Sequence, residues 1–374
     1  MPSIEVIKGN IHKSVPDSTY EIFIKPLYEK VKDAGLGTKF DPDVHLSCKA
    51  EDIETLKTYT LQDLGITNPK RAVNDFAACD PLPLFTQEAI DIIRREIMTE
   101  STFKKYARLA NLSTSALDVQ LGGFTKYGTS PFLKDALSHP RTLEVFSKVI
   151  GLQVRNFCDF ENGHINFGIK SKEQAAIERE SITEIELKTQ LFLKGDSSAI
   201  DSVVNWHFDS NPYTAVIMLS PTDEMIGGET ALTKGSGEIV LTKQTPQGSV
   251  SLVQAGAIRH LALLPFCVTE RIAIAQALLP ADPLLNDVTV ITTIKPSVLH
   301  RTRYNEFYPD WIEYRMGVLE ARVRNLKQTV RKKLDNGEDF DQLETIEQLK
   351  ELINYVKGTY REFEVIDEGL ATID

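Results

Sequence analysis

Between residues 150 and 295 the chain is a succession of short apolar segments: "LQVRNFCDF", "HINFGI", "YTAVIMLS", "GEIVLTK", "GSVSLVQAG", "ERIAIAQALL" and "VTVITTIK". They are rich in β-branched residues, are broken by Gly- and Pro-containing turns, and never alternate with helices as strand-helix-strand units do. That pattern excludes a dinucleotide-binding parallel sheet and predicts an antiparallel barrel or double-sheet jelly roll. Asn162-Gly163 favours a tight left-handed turn, so residues 152–160 and 164–169 are expected to pair as a hairpin.

Helices flank this region. "TQEAIDIIRREIMTES" places Ile90, Ile93 and Ile97 on one face behind a capping Thr86. "SPFLKDALS" and "PRTLEVFSKVIG" follow, the second opened by Pro140 and closed by Gly151. Beyond residue 308, "PDWIEYRMGVLEARVRNLKQTVRKKLDNG" and "FDQLETIEQLKELINYVKGTYREF" carry long amphipathic periodicity. The expected organisation is an N-terminal wrapping segment (1–84), a helix-plus-β core (85–305) and C-terminal helices packed on it (306–374), in all a mainly β fold with flanking helices (α+β).

With 42% hydrophobic residues in 374, the chain has enough apolar content for a substantial core. Its formal charge of −11 argues against a nucleic-acid surface. Cys48, Cys79, Cys158 and Cys267 are widely spaced, without a CxxC pair, which points to a reducing compartment. No run approaches a membrane span and no leader is evident, so a cytoplasmic protein without membrane partners is expected.

The chemistry centres on "WHFDSN". Residues two apart on a strand point the same way, so His207 and Asp209 direct an imidazole and a carboxylate at one point. A third ligand must come from elsewhere. His260, 51 residues after Asp209, is preferred over His300, which lies after the last strand, and over His164, which reads as a hairpin residue. Two imidazoles and one carboxylate form the facial triad that suits Fe(II) and leaves positions open for a chelating 2-oxo acid and O₂. Arg271, 11 residues after His260, shares a strand face with Ala273, Ala275 and Ala277, so a guanidinium fork stands over a floor of small side chains. Ile272, Ile274 and Leu278 take the packing face.

The series "WHFDSNPYTAVIMLS", "GGETAL", "GSVSLVQAGAIRHLALLP" and "RIAIAQALL" resembles the Fe(II)/2-oxoglutarate-dependent oxygenase superfamily over roughly residues 150 to 295. The resemblance implies a double-stranded β-helix core of the jelly-roll, cupin-like type, with His207, Asp209 and His260 as iron ligands and Arg271 holding the distal carboxylate of 2-oxoglutarate. It further implies oxidation of a C–H bond of a small molecule by hydroxylation, desaturation or ring closure. Asp209 speaks against the halogenating branch. Ala273 departs from the family, which often has a hydroxyl residue there; Thr269, Thr230 and Tyr213 are the candidates to replace it. The chain looks most like fungal natural-product members, some of which oxidise amino acids, including an aziridine-forming group.

Arg155 and Asn166 are the candidates for meeting an amino-acid or acidic substrate, against a plainer role as polar residues at a sheet edge. Residues 170–204 are a candidate lid. "GGETAL" lacks the phosphate-loop spacing and reads as a tight turn. The competing functions are a cupin-like metalloenzyme that does not use 2-oxoglutarate and a non-catalytic jelly-roll binding module.

Overall fold

The structure, a computed structural model, describes residues 6–7, 15–67, 69–109, 118–196, 199, 202, 205–295 and 304–366. Its centre is a large antiparallel sheet. The strands are β1 (Thr58–Thr60), β2 (Phe76–Cys79), β3 (Ala107–Leu109), β4 (Asp118–Leu121), β5 (Val154–Asn156), β6 (His164–Ile169), β7 (Tyr213–Met218), β8 (Thr230–Thr233), β9 (Ile239–Leu241), β10 (Ser249–Val253), β11 (His260–Ala262) and β12 (Glu270–Pro280). The large sheet has the order β1-β2-β10-β7-β12-β6-β4-β3, with β5 pairing further along β12. A smaller antiparallel sheet has the order β9-β8-β11 and is extended beyond β11 by bridges from His207 to His260 and from Ser202 to Leu263.

From β7 onward the chain alternates between the sheets: β7 in the large one, β8 and β9 in the small, β10 in the large, β11 in the small and β12 in the large. Leu232 of the small sheet shares a buried cluster with Val253 and Ala78 of the large one. The other face of the large sheet is covered by helices α1 (Gln87–Met98), α2 (Glu100–Tyr106), α3 (Pro131–Ser138) and α4 (Pro140–Ile150). Ile272, Ile274 and Leu278 enter that interface beside Ile90, Ile93 and Ile97, as the alternation of β12 requires. The Thr86 hydroxyl accepts from Ala89 N, and Gly151 ends α4 with φ +80°.

Three readings of the sequence change. Residues 152–160 and 164–169 do not pair with each other: β6 and β5 lie in tandem along β12, whose 11 residues are long enough to pair with both. Gly163 still takes the left-handed conformation (φ +78°), but at a corner, where its N–H donates to Gln276 Oε1 (2.8 Å). "VTVITTIK" forms no strand; Val290 N and Thr293 N donate instead to Ser210. The N-terminal segment does more than wrap, since β1 and β2 extend the large sheet.

Helices α5 (Lys172–Glu180) and α6 (Ile182–Leu193) occupy the candidate lid segment. Phe192 of α6 packs with Ala231, Leu261 and Leu263 on the outer face of the small sheet and stacks on Trp206 at 6.0 Å. The long helices α7 (Tyr304–Asp335) and α8 (Gln342–Arg361) close one end, where Phe307 and Trp311 meet Phe157, Phe160, Ala277 and Leu279. The four cysteines are free, and no helix among the described residues is long and apolar enough to cross a membrane.

Candidate metal centre

His207 and His260 stand directly opposite each other in the small sheet, exchanging two backbone hydrogen bonds of 3.0 Å. Directly opposed residues project to the same face, which brings the ring centroids to 4.4 Å. Each Nδ1 faces a carbonyl two residues back, His207 on Asn205 (2.8 Å) and His260 on Ile258 (3.0 Å). A carbonyl only accepts, so each Nδ1 carries the proton and each Nε2 keeps its lone pair.

Both lone pairs converge on Asp209, whose Oδ1 lies 3.2 Å from His207 Nε2 and 3.6 Å from His260 Nε2. Neighbouring donors on an ion with bonds of about 2.1 Å stand roughly 3 Å apart, so this donor set fits a divalent transition metal. The three ligand atoms all lie within 4.8 Å of one another. The Thr214 hydroxyl donates to Asp209 Oδ2, while Asp209 N donates to Ala255 O (3.0 Å). Arg71 Nη2 donates to the carbonyls of Asp209 (2.7 Å), Ser210 (3.3 Å) and Val288 (3.4 Å), tying down the loop that carries the carboxylate.

Electrostatics separate the three groups. Burial opposes ionisation of Asp209, but the nearby imidazoles and Thr214 outweigh it and hold the carboxyl well below its usual range. His207 is also penalised by burial, yet the facing Asp209 carboxylate, which favours the protonated ring, raises it overall; burial lowers His260. Thr214→Val is expected to weaken divalent-metal binding about 10- to 100-fold by freeing the carboxylate to rotate. Metal titration monitored by competition with a chelator checks this.

Arg271 is buried on the inner face of β12, its Nη2 donating to Gly228 O (3.1 Å). Its Nε has no hydrogen-bond partner among the described residues. Burial lowers its pKa, against the opposing charges of Asp118 and Glu229. Thr230 lies opposite Ala262, two positions from His260 on β11 and therefore on the same face. Tyr213 lies elsewhere: its ring is fully buried in the helix-facing cluster and its hydroxyl donates to Asn74 Oδ1 (2.8 Å). Thr269 precedes β12, its carbonyl accepting from Lys170 N.

Asn166 stands between Gln120 and Ala273 in the large sheet, on the inner face. Arg155 is at the far end of the sheet, its guanidinium over the Tyr314 ring at 5.2 Å, and is not brought to the triad. His300 lies outside the described residues. His164, read as a hairpin residue, instead faces inward with its Nε2 3.1 Å from Gln120 Oε1. Thr214, Arg71 and Gln120 were not legible in the sequence. Arg71 is 138 residues from its nearest partner and carries no periodic signal.

No protein-family model matches the sequence, and no curated protein matches it. Among solved structures, it resembles an oxidoreductase of the 2OG-Fe(II) oxygenase family from Burkholderia pseudomallei at 14% identity, covering 43% of this chain and 68% of that one, with a TM-score of 0.30. It also resembles the non-heme alpha ketoglutarate dependent epimerase SnoN from nogalamycin biosynthesis (11% identity, 59% and 83% covered, TM-score 0.34). A prolyl-4-hydroxylase from Pseudomonas putida is similar at 11% identity (53% and 89% covered, TM-score 0.33). Likenesses this remote assign no function, which has to come from the side chains themselves.

Proposed function

We propose that the chain is an Fe(II)/2-oxoglutarate-dependent oxygenase acting on a C–H bond of a small molecule. The observation that carries this reading is the convergence of His207 Nε2, His260 Nε2 and Asp209 Oδ1, with both Nδ1 atoms tied to carbonyls. Two neutral imidazoles and one carboxylate leave a divalent ion with residual positive charge and open positions, which suits a chelating 2-oxo acid. We read the core as a double-stranded β-helix, because the four-strand run β6-β12-β7-β10 opposes the smaller sheet and the chain alternates between them. Iron, when bound, supplies oxygen activation coupled to decarboxylation of 2-oxoglutarate.

The protein's own contribution is placement. His207, Asp209 and His260 fix the ion on the small sheet, Arg271 offers a planar fork from the large one, and Thr230 adds a hydroxyl on the inner face. The small alanines at 273 and 275 leave room between the sheets. Within this class we place the chain in small-molecule metabolism, with amino acids and their derivatives as candidate substrates and a reaction of the kind fungal natural-product enzymes, including aziridine-forming ones, carry out.

Anaerobic addition of Fe(II) and 2-oxoglutarate is expected to give the visible charge-transfer band of the chelate. Iron binding without that band would identify a cupin-like enzyme instead. Arg271→Ala is expected to weaken 2-oxoglutarate at least about 10-fold, since it removes a charge-assisted bidentate contact, while sparing iron. If Asp118 and Glu229 are the only partners of Arg271, the substitution will lower stability and leave 2-oxoglutarate affinity unchanged.

A further inference from the structure

A second buried arginine lies on the same inner face. Arg108 of β3 pairs with Gln120 of β4, Gln120 with Asn166 of β6, and Asn166 with Ala273 of β12, so these side chains form one row across the large sheet. Three strand spacings, about 14 Å between backbones, separate Arg108 from the strand of Arg271, and its fork reaches to Gly122, just past the end of β4. Arg108 is only 2% exposed, yet its Nε and Nη2 find no hydrogen-bond partner among the described residues. Leaving a guanidinium dry and unpaired is costly unless something else completes it.

The surroundings are built for this side chain. A Cβ at Gly122 would come within 2.5 Å of Arg108 Nη2, so a larger residue there would displace the fork from its present place. Glu161, 5% exposed, sets its charge against Arg108 and also has an unpartnered oxygen, Oε1. Burial pushes Arg108 down to about 10 and Glu161 up to about 7, each opposed by the other's charge. His164 feels the charges of both Arg108 and Asp209 and is pushed down to about 3, chiefly by burial and then by Arg108. It is therefore neutral, a polar side chain on the same inner face.

We infer that Arg108 is a substrate-binding residue that receives the carboxylate of a small organic acid, distinct from the acid held at Arg271, and presents its carbon chain toward the triad. This rests on the oxygenase reading only for what then happens to the chain; the carboxylate site stands on its own geometry. Short aliphatic carboxylic acids and α-amino acids share the required group. Glu161 distinguishes them, because a nearby ammonium would complete its free oxygen.

The test is calorimetric titration of the full chain with a panel of L-α-amino acids, the matching desamino acids and the primary amides of both. It is run without metal and again anaerobically with Fe(II) and 2-oxoglutarate. At least one acid is expected to bind while its amide does not, and Arg108→Lys and Arg108→Met should weaken that acid at least about 10-fold without changing 2-oxoglutarate affinity. A preference for the amino acid that Glu161→Gln abolishes identifies the zwitterion; no such preference identifies the simple acid. Arg108→Met leaves the buried Glu161 without its opposing charge, so its binding loss is read beside that of Arg108→Lys, which keeps the charge and changes only the fork. The inference is overturned if no acid binds or if binding survives both Arg108 substitutions. Arg108-dependent binding in a chain that forms no Fe(II)·2-oxoglutarate band would sink the oxygenase reading and leave this one standing.

Discussion

Fe(II) affinity is expected to fall more than about 100-fold when Asp209 becomes alanine, exceeding the loss typical of a residue that merely orients a ligand. The carboxylate is the one anionic donor of the triad, and its Oδ1 is the point on which both imidazoles converge. Without it, two neutral nitrogens face a doubly charged ion with nothing to offset either charge. Equilibrium dialysis with Fe(II), or with Mn(II) as an air-stable substitute, measures the loss. If the three residues were an ordinary polar cluster, the variant would bind metal as weakly as the wild type does.

The largest effect on stability is expected at Asp287. Its carboxylate accepts from Arg315 Nη1 (2.8 Å) and from the Tyr355 hydroxyl (2.5 Å), joining the loop after β12 to α7 and α8. Arg315 also donates to Thr359 Oγ1 and Tyr355 O and lies over the Tyr355 ring at 3.5 Å. Both partners are buried, so Asp287→Ala strands a guanidinium and should cost about 3–5 kcal/mol in chemical denaturation. The pair also sets a pH dependence. Burial alone would raise Asp287, but Arg315 and the surrounding hydroxyls outweigh it and hold it below its ordinary value. A depressed folded-state pKa means that the unfolded chain takes up the proton more readily. The stabilisation is therefore complete above the unfolded value of about 3.9 and is lost as pH falls through the folded one. Asp287→Ala should flatten the acid limb of the stability curve.

What the sequence disclosed follows from the range of the forces involved. Alternation along β12 announced which face packs and which faces inward, because a period of two is a local property that burial on one side enforces. The His-x-Asp pair was legible from residue type and spacing, although only His207 pairs in the small sheet and Asp209 lies in the loop after it. His260 was found by chain length and residue type rather than by any local pattern. Pairing partners were harder: whether β5 and β6 bond to each other or in tandem to β12 depends on the length of a strand more than a hundred residues away. The supports of the site were out of reach altogether. Arg71 meets carbonyls 138 or more residues away, and a buried arginine such as Arg108 looks like any other until the sheet closes over it. Residues 288–295 show the reverse error, since a β-branched run with strand propensity was overridden by hydrogen bonds to Ser210.

The facing histidines have one more consequence. Because main-chain bonds between residues 207 and 260 set the spacing of two of the three donors, the claw is already shaped before any ion arrives. Such a rigid grip gains affinity by sparing reorganisation, but it confers little power to refuse competitors, and nitrogen-rich sites favour nickel, copper and zinc over ferrous iron. If the site is loaded as proposed, supply decides which element it takes: material purified in air should emerge holding a competing metal and accept ferrous iron only after stripping and reloading under reducing conditions.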